Sequence, residues 1–137
     1  MPDKALIGLI GLATIFSLGH TADHAIRGDF RWPLTLDSAP AVIISFVIYG
    51  VIALGLYLYS KNKVGPGFWA AFGSVGLVFG WLAHFSPFTD QPPGYILAAY
   101  ESAVAGWLAL LCLVGLMVVL MVATLYAGYL WSRRPER

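Results

Sequence analysis

Apolar residues run through this 137-residue chain in four long blocks, and polar residues crowd into the short stretches between them. The first block extends from Ala5 to about His24, with no charge before Asp23. The second runs from Pro40 to about residue 60 without a charge, the third from Gly67 to about residue 86, and the fourth from about Tyr95 to Trp131. A helix that crosses a bilayer needs about 20 mainly apolar residues. The pattern therefore predicts an all-α integral membrane protein with four transmembrane helices over about 5–24, 40–60, 67–86 and 95–131, arranged as one up-down-up-down bundle over residues 1–137. The second helix start is marked by Asp37 and Ser38, with Pro40 in its first turn, and the third block is entered through Gly65-Pro66, a helix-stop pair. The fourth block is too long for one crossing: at about 1.5 Å per residue it exceeds a hydrocarbon core of about 30 Å. Residues 95–102 are expected to form an extramembrane or interfacial first part of this helix, and residues 103–131 the span. The first block reads as a span rather than a cleaved signal, because His20 stands where a cleavage site wants a small residue.

Composition agrees with this class. Hydrophobic residues make up 59% of the chain and charged residues 11%, against about 25% charged in a soluble domain. A net charge of +1 gives no basic patch and so no case for nucleic acid. One cysteine, Cys112, rules out an internal disulfide and any paired-thiol motif.

Charge sidedness predicts orientation. Lys4, Lys61, Lys63, Arg133, Arg134 and Arg137 fall on the side of the termini and middle loop, against Arg27 and Arg31 on the other. Six against two, in short loops, predicts cytoplasmic termini in a bacterial plasma (inner) membrane. Aromatic residues bracket both boundaries: Tyr57, Tyr59, Trp69, Tyr126, Tyr129 and Trp131 inside, Phe30, Trp32, Phe85, Phe88, Tyr95 and Tyr100 outside.

The acids and histidines are as lopsided as the cations. All three histidines lie on the outer side, with Asp23, Asp29, Asp37, Asp90 and Glu101. His20, Asp23, His24 and Arg27 are spaced i, i+3, i+4, i+7 and share one helical face. Two histidines at i, i+4 present two imidazoles to one metal ion. His84 ends the third block on the line Gly76, Gly80, His84, a small-residue spacing that marks a packing face and aims His84 into the bundle. The expected metal ligands are His20, His24, His84 and Asp23, with Asp23 alternatively holding a histidine tautomer from behind. By ligand type such a set takes Zn, Cu or Fe. Asp23 and Glu101 are the candidate proton carriers if the site is catalytic. Arg27, Trp32, Trp81 and Asp90 are expected to contact a ligand or cover it, the last from the stiff loop SPFTDQPPG. Met117 and Met121 read as packing.

Three functions compete on this pattern. The first is a metal or small-ligand site open to the outside. The second is a haem-binding redox subunit, with His20 or His24 and His84 as axial ligands. The third is an accessory or structural subunit of a larger membrane complex, or a homo-oligomer, without chemistry of its own. A plain polar helix end is the bland alternative, since cations suit a helix C-terminus. Whether the chain is an enzyme stays open. A channel or transporter fits least, because no charge lies at mid-depth.

Overall fold

The computed structural model describes residues 2–29 and 39–133. Trp32, Asp37, Ser38 and the tail beyond Arg133 lie outside the described residues. Five helices follow in order: α1 Lys4–Ile26, α2 Ala39–Ser60, α3 Pro66–His84, α4 Pro93–Ala98 and α5 Ala103–Ser132. There is no strand among the described residues. Four helices are long and apolar enough to cross a membrane, over Lys4–Ile26, Val42–Ser60, Pro66–His84 and Ala103–Ser132.

Local chemistry sets the ends. The Asp3 carboxylate accepts from Leu6 N–H at 2.9 Å and starts α1. At its other end Gly28 adopts φ +83°, which costs glycine nothing. Gly28 N–H then bonds Ala25 C=O at 3.2 Å and Asp29 N–H bonds His24 C=O at 2.9 Å. This paired closure satisfies the last carbonyls of α1 and folds Asp29 back over His24. Asn62, at φ 55°, closes α2 in the same way. Pro66 occupies the first turn of α3, where its missing N–H is no loss.

The fourth apolar block is not one continuous helix. Pro92 and Pro93 start α4, and Ser102 caps a fresh start at α5. The expected first part is thus a separate helix lying against α5. The fit is close: a Cβ on Gly106 would stand 3.1 Å from the carbonyl oxygen of Leu97.

α5 is the central post, packed against both α1 and α3. The small-residue line of α3 faces it. Side chains at Gly73 and Gly80 would collide with Thr124 and Met117, and one at Gly76 would press on Leu120. Without a hydrophobic drive between apolar helices in lipid, such close approach is what holds them. On the α1 side, Gly115 admits the ring of Phe16, and Gly19 admits Cys112. α2 joins at one end through Tyr59, buried with Leu6, Ile10, Trp69 and Ala127. Further along, its Tyr49 hydroxyl bonds Thr21 at 2.7 Å and Ser17 at 3.1 Å on α1. Side chains such as Phe46, Val75, Val78 and Leu125 point outward, the reverse of a soluble bundle.

Candidate metal centre

The C-terminal ends of α1 and α3 meet, and their three imidazoles converge. His20 Nε2 lies 3.0 Å from His84 Nε2 and 3.1 Å from His24 Nε2. The rings are not stacked: His20 crosses His24 at 65° and His84 at 79°. Three ring nitrogens therefore point toward a common position. Metal–nitrogen bonds of about 2.0–2.1 Å place nitrogen pairs about 3.3–3.4 Å apart at tetrahedral angles and about 2.9 Å at right angles. The two spacings from His20 Nε2 fall between these values, and ligand atoms of all three residues lie within 4.8 Å of one another, so the three could hold a metal ion.

The far side of each ring decides what each Nε2 offers. His24 Nδ1 lies 2.8 Å from Asp29 Oδ2. A carboxylate only accepts, so Nδ1 carries the hydrogen and Nε2 keeps a lone pair. In this tautomer the 3.2 Å contact of the same Nδ1 with Arg27 Nη2 faces donor to donor and is not a hydrogen bond. His84 Nδ1 lies 3.2 Å from the backbone carbonyl of Gln91. That oxygen also only accepts, so His84 Nε2 keeps its lone pair too. His20 Nε2 can give a single N–H to one of these neighbours and leaves the other facing it unsatisfied. His20 Nδ1 is buried and has no hydrogen-bond partner.

A second layer surrounds the rings. Arg27 and Asp23 form a buried bidentate pair, Nε to Oδ1 at 2.9 Å and Nη2 to Oδ2 at 2.9 Å, with side chains 1% and 2% exposed. Arg27 also reaches Asp29 at 3.0 Å and Gln91 Oε1 at 3.4 Å, and lies over the ring of Tyr95. Tyr100 donates its hydroxyl to Asp23 Oδ1 at 2.7 Å. Burial works against the charge on Arg27, but the hydrogen bond and charge of Asp23, helped by Asp29, more than offset it and raise its pKa. Burial, then the hydrogen bond to Asp23, push the Tyr100 phenol up to about 12.

The loop after α3 holds its shape by internal bonds. Ser86 Oγ bonds Leu82 C=O, Thr89 Oγ1 bonds Ala83 C=O, and Gln91 N–H bonds Thr89 Oγ1. These aim the Gln91 carbonyl at His84.

His20, His24 and His84 come together as the spacing predicts, and Arg27 sits beside them. Asp23 is close but on the Nδ1 side of His20, with Oδ2 at 3.7 Å, away from the converging Nε2 atoms. Asp90, expected to reach in, is exposed, and Gln91 reaches in instead. The loop's register, set by Thr89, turns alternate residues outward. Trp81 is half-exposed on α3, since the packing line through Gly80 and His84 leaves it toward the outer face. Glu101 is exposed beside the α5 cap. Asp29, Gln91 and Tyr100 join the site without having been expected there. Only Asp29 carried a signal, through the glycine before it.

The chain matches no protein-family model, no curated protein and no solved structure.

Proposed function

We propose that this chain is a multi-pass membrane protein that binds one transition metal ion, Zn, Cu or Fe, through the Nε2 atoms of His20, His24 and His84. One observation carries the reading. Acceptor-only groups, the Asp29 carboxylate and the Gln91 carbonyl, fix two imidazoles so that their Nε2 lone pairs converge on a third Nε2 within 3.1 Å. Lone pairs this close repel unless a cation lies among them, and a single ion satisfies all three. Neutral imidazoles backed by carboxylate and carbonyl acceptors are the usual outer shell of a metal site. In the proposed topology the helices run up-down-up-down, both termini are cytoplasmic, and the site faces outward from a bacterial plasma membrane.

The reading is one of binding rather than acid–base catalysis. Both oxygens of Asp23 are engaged by Arg27, with Tyr100 on Oδ1, and Glu101 is exposed. Haem fits poorly. Axial nitrogens on opposite sides of an iron need a separation of two metal–nitrogen bonds, about 4 Å for imidazole on a first-row metal. His20 and His84 lie at 3.0 Å, and for the pair His24 and His84 the ring of His20, with Nε2 within 3.1 Å of both, stands where the porphyrin would have to lie.

Metal titration of the purified chain in mild detergent, against a competing chelator, tests the proposal. Wild type is expected to bind one equivalent. His20→Ala, His24→Ala and His84→Ala are each expected to weaken binding by more than the roughly 10–100-fold typical of an outer-shell loss. Affinity equal to wild type in all three variants would overturn it. Cysteine labelling from either side of the membrane tests the topology separately.

A further inference from the structure

This inference rests on the metal-binding reading above and concerns how the site is tuned. A carboxylate offers about four acceptor positions, two on each oxygen. On Asp23, Oδ1 accepts from the Tyr100 hydroxyl at 2.7 Å and from Arg27 Nε at 2.9 Å, and Oδ2 accepts from Arg27 Nη2 at 2.9 Å. One position on Oδ2 remains. Facing it at 3.7 Å is His20 Nδ1, the buried ring nitrogen with no hydrogen-bond partner. When His20 gives its Nε2 lone pair to a metal ion, Nδ1 must carry the hydrogen and needs an acceptor. A closure of about 0.8 Å brings the pair to an ordinary hydrogen-bond distance.

We propose that Tyr100 is a positioning residue for the histidine triad: it holds Asp23 so that Oδ2 accepts from His20 Nδ1–H when metal is bound. Tyr100 lies in the corner between α4 and α5, 77 positions from Asp23. The corner is therefore coupled to the metal through Tyr100, Asp23 and His20. Coupling of this kind is reciprocal. What Tyr100 adds to metal affinity, metal adds to the order of residues 99–102.

Four samples of the full chain decide this: wild type, Tyr100→Phe, His20→Ala, and the double variant. Each is titrated with Cu²⁺ against a competing chelator, and the copper spin-resonance spectrum is recorded at saturation. Tyr100→Phe keeps the ring and removes only the hydroxyl. It is expected to weaken binding by about 10-fold, the low end for a direct partner of a ligand because Tyr100 acts through Asp23, to change the copper spectrum, and to reduce the metal-dependent slowing of amide exchange at residues 99–102. On the His20→Ala background the same substitution is expected to add nothing, because its route to the metal is gone. If wild type binds and Tyr100→Phe binds equally with an unchanged spectrum, the positioning role is overturned and the metal site stands. A full additional loss on the His20→Ala background also overturns it, since Tyr100 would then be a general prop. If wild type takes up no metal, the metal reading itself fails and this inference with it.

Discussion

His20 and His84, 64 positions apart in the chain, bring their Nε2 atoms to 3.0 Å. Neither ring lies there by a local rule. α1 and α3 both pack on α5, and the contact between their ends follows from glycines at Gly73, Gly76 and Gly80 that let α3 approach that post. The site is thus a product of helix packing, and packing and ligation can be tested apart.

The first prediction separates the two acceptors behind the rings. Asp29→Ala removes the partner of His24 Nδ1 and is expected to lower metal affinity about 10–100-fold. Gln91→Ala leaves the backbone carbonyl that holds His84 in place and loses only the 3.4 Å contact with Arg27. Its affinity is expected to stay near wild type. Chelator competition on both variants reads the difference, and the reverse order contradicts the assignment.

Arg27 ties four segments together: α1 through Asp23, the following turn through Asp29, the loop after α3 through Gln91, and α4 through Tyr95. Removing one partner of a buried ion pair strands the other, at about 3–5 kcal/mol. Arg27→Ala is expected to lower thermal stability strongly in the absence of metal. Arg27→Lys keeps the charge but not the two-pronged contact, so it should recover only part of the loss. Thermal melts in one detergent compare the three.

Glycine substitutions test the packing alone. A Cβ at Gly73 collides with Thr124, whereas at Gly8 nothing lies within 4 Å. Gly73→Ala is expected to destabilise the bundle and weaken metal binding, because α3 carries His84. Gly8→Ala is expected to be neutral or to stabilise by up to about 1 kcal/mol, the usual helical preference for alanine. Equal behaviour of the two would contradict the packing described.

How much of this was legible beforehand differs residue by residue. His20 and His24 stand a helical turn apart, and that spacing places them on one face whatever surrounds them. His84 was readable from the glycines that precede it on the same line. Asp29 became a partner of His24 only because Gly28 takes a positive φ and folds the chain back; the turn was readable, its direction was not. Gln91 acts on His84 through its backbone, which any residue type supplies, so side-chain chemistry pointed to the neighbouring Asp90. Tyr100 meets Asp23 across 77 positions, and no periodicity reports such a contact. That the last apolar block is more than one crossing was readable from its excess length; the full break between Ala98 and Ala103 was not.

The Tyr100 phenol supplies a test by pH. Its pKa is raised to about 12 from the ordinary 10.0, so the protonated form is the one the fold favours. That contribution is fully present below pH 10 and is lost as pH rises through about 12. Ultraviolet titration of wild type should include a phenol that ionises later than an ordinary tyrosine, and Tyr100→Phe should remove that phenol's share of the late absorbance. An unchanged titration in the variant contradicts the hydrogen bond to Asp23.

X-ray absorption on the metal-loaded wild-type chain tests the central claim most directly. The expected spectrum shows three imidazole nitrogens around one ion at about 2.0–2.1 Å, falling to two in His84→Ala. A first shell of oxygens with no imidazole scattering, or one identical in wild type and His84→Ala, would contradict it.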